Sequence, residues 1–352
     1  MEKLRVAIIG TGGISHCHMG AYKKFTDKCE VVAVCDIDEE KVKKYAEQYS
    51  VPAYYTDYNE MLAKEKIDAL SVCTWNSAHK GATIAALRAG CKVLCEKPRA
   101  MNTAEAEEMK AVSEETGNLL MIGFVRRFGK DTSIVRRFID GGTMGDIYYA
   151  KACYLRRNGW PGGWFGDKNY AGGGPLIDLG VHVIDLVRYL AGSPKPVSVF
   201  GVTYNNLGPN RASGGQDWVS STKGEFVYDV EDFASAMIKF DNGLTLQVEA
   251  SFNINLKNDK GEIELFGTKA GMKLDPQVEI FTDLNGMFVD TKPFGDSGFT
   301  MDGIFEGEIN HFLECALGNE TCIATPADGV TLMNILDAIY ESARTGHEVQ
   351  IG

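Results

Sequence analysis

The first third of the chain alternates short apolar runs with amphipathic segments of helical period. Continuous apolar runs bounded by glycine or polar clusters are typical of strands that are buried on both faces. Amphipathic segments between such runs are typical of helices that cover a parallel sheet. The predicted strands are Leu4–Ile9, Val31–Cys35, Asp68–Cys73, Lys92–Cys95 and Leu119–Gly123, and the predicted helices are Ile14–Phe25, Asp38–Tyr49, Ser77–Ala89 and Thr103–Glu115.

The rest of the chain has longer runs of strand character and fewer helices. A long strand at Ile147–Leu155 precedes a glycine-rich loop from Asn158 to Gly174 and a helix at Leu176–Leu190. The segment Asp241-Asn242-Gly243, between two apolar runs, indicates a β-hairpin. Further predicted elements are strands at Val197–Tyr204, Phe233–Phe240, Leu244–Phe252 and Glu262–Phe266, and helices at Phe305–Leu317 and Ala327–Arg344.

These two patterns predict an α/β protein of two domains, which suits a length of 352 residues. We expect residues 1–124 to form a doubly wound parallel sheet with helices on both faces. We expect residues 125–352 to form an α+β domain with a large, open, mostly antiparallel sheet. The division should fall near residues 123–126.

The composition argues against several classes of partner. The formal net charge is −12, and an acidic surface repels the phosphates of nucleic acids. The apolar runs are too short to cross a membrane, and the apolar stretch near the N-terminus is too brief for a signal peptide. Nine cysteines are scattered singly, as is typical of reduced thiols. We therefore expect a cytoplasmic protein that binds neither nucleic acid nor a membrane.

A glycine-rich turn follows the first predicted strand. The segment Gly10-Thr-Gly12-Gly13-Ile14-Ser15 ends that strand and opens the next helix. Such a turn lets the backbone approach a pyrophosphate, and the N–H groups that begin the helix face its phosphates. Ser15 stands where a third glycine or an alanine is usual. The position within a βαβ unit predicts a dinucleotide site of the Rossmann type, with Gly10, Gly12, Gly13 and Ile14 at the cofactor.

Asp36 ends the second predicted strand, where a carboxylate can accept hydrogen bonds from the adenosine ribose hydroxyls. The same charge would repel a 2′-phosphate. Because Ile37 and Asp38 follow, we expect no basic side chain at hand to hold that phosphate, and NAD is favoured over NADP. The alternative is that the carboxylate caps the next helix, a role that suits Asp38 better than Asp36.

Two further segments carry candidate proton chemistry. Lys97, in Glu96-Lys97-Pro98, follows the fourth predicted strand, at the sheet edge where ligands of α/β proteins bind. A lysine there can stabilise negative charge on a substrate oxygen, although Lys-Pro after a strand is also typical of a solvated turn. Asp178 and His182 are four residues apart in an apolar helical segment, so they share one face. Histidine has a pKa suited to proton transfer, and the carboxylate could orient its ring.

The helical segment also fits two alternative roles. Buried Asp178 and His182 could simply form a structural pair. Together with Asp185 they could also ligate a metal from one helix face, but no other feature of the sequence supports that. Cys91 and Cys95 form a close pair without the second pair or histidine cluster that a zinc site needs. We therefore expect no metal.

Taken together, these motifs resemble the glucose–fructose oxidoreductase / inositol dehydrogenase / MocA (Gfo/Idh/MocA) family over almost the whole chain. Two departures from the family pattern are Trp75, where proline is usual, and Arg99, where an apolar residue is more common. The matching segments are Gly10-Thr-Gly-Gly-Ile-Ser-His16, Asp36, Thr74-Trp-Asn76-Ser-Ala-His79, Glu96-Lys97-Pro98, Gly123-Phe-Val-Arg-Arg127-Phe and the glycine-rich approach to Asp178 and His182.

The resemblance implies an NAD-binding Rossmann domain and a C-terminal sheet through which homodimers or homotetramers form. It implies that Lys97 binds the reacting hydroxyl, that His182 is the general acid/base and that Asp178 holds substrate and histidine. It places Thr74, Asn76, His79 and Glu96 at the NAD site. Arg127 and Trp164 are implied near the nicotinamide or the substrate.

The resulting hypothesis is hydride transfer between a nicotinamide and a secondary alcohol of a sugar, sugar derivative or cyclitol. One rival is a closed-cycle sugar oxidoreductase or NAD-dependent glycosidase that retains its cofactor. Another is a non-catalytic sensor of NAD or sugar, which would be expected to lack part of the catalytic set. Arg156, Arg157, Trp160 and Trp164 suggest a polar, aromatic-walled substrate pocket, although ordinary loop packing explains them equally well.

Overall fold

The computed structural model describes residues 3–208, 219–220, 227–301 and 303–352. Its first layer is a six-stranded parallel sheet with strand order β3-β2-β1-β4-β5-β6. The strands are β1 (Leu4–Ile9), β2 (Cys29–Cys35), β3 (Ala53–Tyr55), β4 (Ala69–Val72), β5 (Lys92–Glu96) and β6 (Leu120–Gly123). The helices between them are α1 (Gly13–Tyr22), α2 (Glu39–Tyr49), α3 (Tyr58–Lys64), α4 (Asn76–Arg88) and α5 (Thr103–Thr116).

All five predicted strands of this layer are present, and β3 is an addition. The four residues of β4 are all buried, as expected for a strand covered by helices on both faces. By contrast, β3 has three residues, none of them fully buried, so it lacks the apolar run that marks the other strands. The predicted parallel, doubly wound sheet is confirmed.

The second layer is a nine-stranded sheet with strand order β14-β13-β12-β11-β7-β10-β9-β8-β15. Its pairings are antiparallel except for β7 with β10. The strands are β7 (Ile147–Leu155), β8 (Pro196–Tyr204), β9 (Phe233–Phe240), β10 (Thr245–Ser251), β11 (Lys260–Gly267), β12 (Ala270–Lys273), β13 (Glu279–Leu284), β14 (Met287–Thr291) and β15 (Val349–Gln350). The predicted hairpin joins β9 to β10, with Gly243 at φ +88°.

The helices of this half are α6 (Lys130–Asp140), α7 (Lys168–Ala171), α8 (Val181–Leu190), α9 (Ile304–Ala316) and α10 (Pro326–Thr345). The sequence pattern did not predict α3, α6 or α7, nor the strands β12, β13 and β14 at one end of the sheet and β15 at the other. α6 is strongly amphipathic but short and rich in charged residues, whereas β14 is largely exposed and shows no apolar run. A strand whose faces are not both covered is not required to carry a continuous apolar run.

The last two helices return to the first layer. Both the backbone N–H and the hydroxyl of Thr103, at the start of α5, donate to Asp337 of α10. The backbone N–H of Ile122 in β6 donates to Ala324 O at 3.0 Å. The two sheets therefore share one continuous apolar core. In the part of the chain that the structure describes, no helix combines the length and apolar character needed to cross a membrane.

Candidate active site

The glycine turn between β1 and α1 lies at the carboxyl edge of the parallel sheet. Gly10 has φ +89°, and a Cβ there would lie 2.5 Å from the carbonyl oxygen of Cys73, so the position requires glycine. The helix α1 begins at Gly13 after Gly12, and no side chain of the described residues caps it. Its first N–H groups are therefore available to an anionic ligand.

The serine in the third motif position is accommodated inside the helix. The Ser15 side chain is fully buried, and its hydroxyl donates to Gly12 O at 2.6 Å. Its carbonyl oxygen accepts a hydrogen bond from the Tyr45 hydroxyl at 2.8 Å. The departure from Gly or Ala therefore leaves the turn geometry intact.

Asp36 is tied to the same turn. Its Oδ2 accepts from the backbone N–H and the hydroxyl of Thr11 at 2.7 and 2.8 Å. Burial opposes ionisation, but these hydrogen bonds and the charge of Lys41 lower the pKa of Asp36 overall. The predicted alternative, a helix cap, applies to Asp38, whose carboxylate accepts from Lys41 N–H at 3.1 Å.

The expectation that no basic residue lies near Asp36 is wrong. Lys41 lies within the first turn of α2, and its ammonium is 3.1 Å from Asp36 Oδ2. Lys44 lines the same cavity. The two residues that directly follow Asp36 are not basic, but the helix brings a side chain five positions away back to the carboxylate.

A cavity of about 750 Å³ runs along this edge. The glycine turn, Asp36, Thr74 and Trp75 form one side, and Trp164 and Phe165 of the second half form another. The rings of Trp164 and Phe165 stack with centroids 4.0 Å apart, and Tyr170 packs edge-on against Trp75 at 5.1 Å. An elongated cavity with free N–H groups, a carboxylate and aromatic walls fits a dinucleotide.

The candidate catalytic residues are brought together by strand β5 and a widened helical turn. Lys97 follows the last residue of β5, and its Nζ donates to Asp178 Oδ1 at 2.8 Å and to Asp178 O at 3.0 Å. Asp178 lies in a π-helical turn, Leu176–Gly180, which leads directly into α8. Neither residue is fully buried, so the pair remains accessible to a ligand.

His182 lies at the start of α8 and is half-buried. Burial, followed by the positive charges of Lys97 and Arg126, lowers its pKa well below the ordinary value. Within the described part of the chain, its ring has no hydrogen-bond partner. The idea that Asp178 orients this ring is not supported, because the Asp178 carboxylate binds Lys97 instead.

The two arginines of the Arg126-Arg127 pair have different surroundings. Arg127 is buried, and its Nε donates to Asp185 Oδ2 at 2.9 Å. Like Lys97, Asp178 and His182, it is not among the residues that line the cavity. Arg126 lies over the Phe299 ring at 3.8 Å, and its charge reaches His182. The Arg126 guanidinium also pairs with the buried Asp131 at 2.9 Å.

Three further predicted cofactor residues are buried and do not line the cavity. Both ring nitrogens of His79 face carbonyl oxygens, of Pro98 at 2.8 Å and of Thr74 at 3.1 Å, and its pKa is raised despite burial. Asn76 donates to Ala171 O at 2.8 Å. Glu96 accepts from Lys97 N–H at 3.1 Å. These contacts fix the backbone beside Thr74 and Lys97.

The remaining candidate side chains of the glycine-rich loop and of α8 also have different partners from one another. Asp185 pairs with Arg127 and Asp178 with Lys97, so Asp178, His182 and Asp185 do not converge on a common metal position. Of the four loop residues considered for a substrate pocket, Trp164 lines the cavity. Arg156 pairs with Asp259, the Arg157 side chain donates to Lys257 O, and Trp160 packs on Tyr228.

Comparison with known proteins places this geometry in a family. Residues 4–124 match the family described as "Oxidoreductase family, NAD-binding Rossmann fold", and residues 133–273 match the "GFO/IDH/MocA C-terminal domain". D-glucoside 3-dehydrogenase of Escherichia coli (strain K12) is 36% identical over 99% of this chain and 97% of the relative. The scyllo-inositol 2-dehydrogenase (NAD(+)) of Bacillus subtilis (strain 168) is 28% identical over 99% of this chain and 97% of its own length.

Solved structures share the fold along the full chain. A levoglucosan dehydrogenase in complex with NADH has a TM-score of 0.86 at 23% identity and covers 100% of both chains. An aldose–aldose oxidoreductase from Caulobacter crescentus, complexed with glycerol, has a TM-score of 0.81 at 26% identity over 99% of this chain and 100% of that one. With both domain matches and the glycine turn, cavity and Lys97 in place, the chain is an NAD-binding oxidoreductase that belongs to the Gfo/Idh/MocA family.

Proposed function

We propose that the protein is a dehydrogenase that transfers a hydride between NAD and a ring secondary alcohol of a sugar, a sugar derivative or a cyclitol. The observation that carries this proposal is the 2.8 Å contact between Lys97 and Asp178, with the Lys97 charge also acting on the neutral His182 ring. Lys97 follows β5, whose neighbour β4 runs into the cavity-lining residues Cys73 and Thr74. The bound nicotinamide supplies the hydride acceptor or donor. The chain itself must bind the alcohol and handle its proton.

Each member of the set has a distinct task in this proposal. In the oxidation direction, His182 accepts the hydroxyl proton, because its lowered pKa keeps the ring neutral at physiological pH. The Lys97 ammonium donates to the same oxygen and stabilises the charge that develops there. Asp178 holds Lys97 in place through the 2.8 Å contact and can accept a neighbouring hydroxyl of the ring.

The substrate class is supported by the names of the relatives and by one feature of the site. The relatives act, by their names, on a D-glucoside, on scyllo-inositol and on levoglucosan. These compounds share rings that carry several secondary hydroxyls. That feature is the positive charge of Arg126, which acts on His182, and we assign to Arg126 the substrate role that was expected of Arg127. Its guanidinium is held by Asp131 at 2.9 Å and lies over the Phe299 ring. Trp164 is assigned to the cofactor cavity.

A substrate panel tests the proposal. Inositols, aldoses, alkyl glucosides, levoglucosan and sugar phosphates are offered with NAD, and NADH formation is followed by its absorbance. Lys97→Met and His182→Ala should each lower kcat/KM for the best substrate by at least about a hundredfold. Lys64→Met, at an exposed surface lysine, is the matched control and should retain activity. Near-full activity in either catalytic variant would refute its assigned role.

A closed-cycle reaction with a retained cofactor has one supporting observation. Trp164 and Phe165 come from the second half of the chain, stack on each other and line the same cavity as the glycine turn. Under this alternative, protein purified without added cofactor would absorb at the reduced-nicotinamide band, and dialysis would not remove that signal. A freely exchanging dehydrogenase would be isolated without it. A sensor function has less support, because the catalytic set is intact.

We further propose that copies associate through the open face of the nine-stranded sheet. Phe200 and Met237 are register partners on β8 and β9, both are exposed, and Tyr204 extends the same strand. Contiguous exposed apolar residues of this kind mark interaction surfaces. Sedimentation velocity should show a dimer or tetramer that Phe200→Asp dissociates. The nine free cysteines suit a reducing compartment such as the cytoplasm.

A further inference from the structure

A buried cluster of three titratable side chains lies outside the proposed catalytic set. His18 comes from α1, Glu96 from the end of β5 and Glu308 from α9. One ligand-type atom from each lies within 4.8 Å of those of the other two. Their exposed fractions are 0%, 6% and 0%, so the cluster is closed to solvent. It joins the first layer of the molecule to a helix from the C-terminal end of the chain.

The hydrogen bonds of two members are accounted for. The His18 Nε2 lies 2.9 Å from Glu96 Oε1, and its Nδ1 lies 3.0 Å from the Ser71 hydroxyl. Ser71 is in turn bonded to the Tyr22 hydroxyl at 2.7 Å. The other Glu96 oxygen accepts from Lys97 N–H. Glu308 differs, because neither of its carboxylate oxygens has a hydrogen-bond partner among the described residues.

A buried carboxylate without any partner needs a physical explanation. Leaving one ionised in an apolar interior costs several kcal/mol, on the order of the desolvation penalty of a charge. A second carboxylate nearby adds repulsion that the single histidine does not cancel. A cation between the three groups would neutralise both carboxylates and satisfy the Glu308 oxygens. Such unsatisfied buried groups are a recognised sign of an ion or water.

The histidine has the surroundings of a metal ligand. In the tautomer whose Nδ1–H donates to the Ser71 hydroxyl, Nε2 carries no proton, and its lone pair faces the Glu96 carboxylate oxygen 2.9 Å away. A cation between these two atoms would then replace the hydrogen bond that the other tautomer makes. This is how ligating histidines are usually held, with one ring nitrogen on the metal and the other bonded to a supporting group. Tyr22, on the far side of Ser71, fixes that supporting group.

We propose that His18, Glu96 and Glu308 form a structural site for one divalent first-row transition metal ion. One imidazole nitrogen and two carboxylates suit ions of the zinc and manganese type. Magnesium and calcium prefer ligand sets made of oxygen alone. Two carboxylates and a divalent ion are together neutral, as a closed interior demands. The ion would pin α9 to the first layer at the residue that precedes Lys97.

The test uses the full chain and reads metal directly, so it does not depend on the proposed function. Protein purified without chelators is analysed for metals by mass spectrometry. It is then stripped with a chelator and melted with zinc, manganese, cobalt, magnesium or calcium chloride. We expect about one equivalent of a first-row ion per chain in the purified protein. We also expect the melting temperature to rise with a first-row ion but not with magnesium or calcium.

Matched variants identify the ligands. Glu308→Gln keeps the side-chain volume but removes the charge, and should lower metal affinity at least about tenfold, as expected for loss of a ligand. Glu306→Gln, on the same helix but paired with Lys24 at the surface, should retain the ion. Circular dichroism and NAD binding establish that each variant is folded.

Two results would overturn the proposal. One is wild-type protein that holds no first-row ion and does not gain thermal stability from any of them. The other is Glu308→Gln that binds metal as tightly as the wild type. In either case Glu308 is a buried carboxylic acid that carries its own proton. If Glu308→Gln does not fold, the wild-type metal content and melting series decide the question alone.

Discussion

The electrostatic surroundings of His182 determine the protonation state of its ring at the start of the reaction. Burial and two nearby cations, Lys97 and Arg126, all disfavour a charged imidazole. The ring therefore stays neutral as the pH falls below the ordinary histidine pKa of about 6.5. Since the neutral ring is the proton acceptor, oxidation should persist into mildly acidic solution.

Removing one of those cations should move the pH profile. In Arg126→Gln the pKa of His182 rises, so the acid limb of kcat/KM for oxidation shifts to higher pH. The profile is measured with the best substrate of the panel and saturating NAD. Arg136→Gln serves as the control, because Arg136 pairs with Asp140 at the surface. An unchanged acid limb in Arg126→Gln would mean that another group is the base.

Cofactor choice is a second matter decided by individual side chains. Lys41 is held against Asp36, so the carboxylate both repels a 2′-phosphate and occupies the lysine that could bind it. In Asp36→Ser, NADP affinity should rise at least about tenfold while NAD affinity falls. Dissociation constants come from fluorescence titration. The double variant Asp36→Ser/Lys41→Gln should not show the rise in NADP affinity. If the rise persists in the double variant, Lys41 does not bind the 2′-phosphate.

Among the elements, the passage of β1 into α1 sets the position of the site. The strand ends against β4, and the turn brings Gly10 into van der Waals contact with the backbone of Cys73. The helix then presents its uncapped N–H groups to the cavity. The close approach of Gly10 to Cys73 thus requires glycine in the sequence, sets the shape of the turn and positions the N–H groups for an anion.

Two glycine-to-alanine substitutions distinguish the steric need for glycine at position 10 from the general effect of alanine on helix stability. Gly10→Ala forces a Cβ to within 2.5 Å of Cys73 O and a φ of +89° on alanine, so NAD binding and thermal stability should both fall. Gly20→Ala lies inside α1 with nothing within 4 Å of the new Cβ. That change should stabilise the protein by about 0.5–1 kcal/mol. Calorimetry and NAD titration measure both effects, and equal behaviour of the two variants would contradict the steric requirement.

Across the molecule as a whole, a buried ionic network joins three parts of the chain. Arg127 follows β6, and its guanidinium pairs with Asp185 of α8 and, at 3.2 Å, with Asp328 of α10. Arg188 of α8 pairs with the other Asp328 oxygen at 2.7 Å. The network lies where the parallel sheet gives way to the second half, so it fixes the relative position of both.

Removing the central arginine should destabilise the fold without touching the cavity. Arg127→Met leaves Asp185 buried and unpaired, which should lower the free energy of unfolding by about 3–5 kcal/mol. Denaturant titration measures the change. Arg344→Met, at an exposed surface pair, should be neutral. The NAD affinity of folded Arg127→Met should stay near that of the wild type. A loss of NAD binding in the folded variant would instead show that Arg127 contributes to the cofactor site.

Several parts of the fold and site follow from local sequence. The apolar runs predict the buried strands because those strands are covered on both faces, and the glycine turn predicts the dinucleotide edge because the close approach of Gly10 to Cys73 requires glycine. The catalytic candidates Lys97, Asp178 and His182 were found from their residue types and their positions after a strand or within a helix. Exposed elements such as β14 left no comparable pattern.

The amino-acid sequence alone accounts for the parallel and the mostly antiparallel sheet, for NAD as the cofactor and for the choice of catalytic candidates, since each depends on near neighbours along the chain. Tertiary packing selects which side chains meet. It paired Asp178 with Lys97 rather than His182, placed Arg127 in a buried pair with Asp185, and brought Glu308 to Glu96 from a helix near the other end of the chain. These pairings depend on turns and on packing between distant segments, which no local pattern encodes.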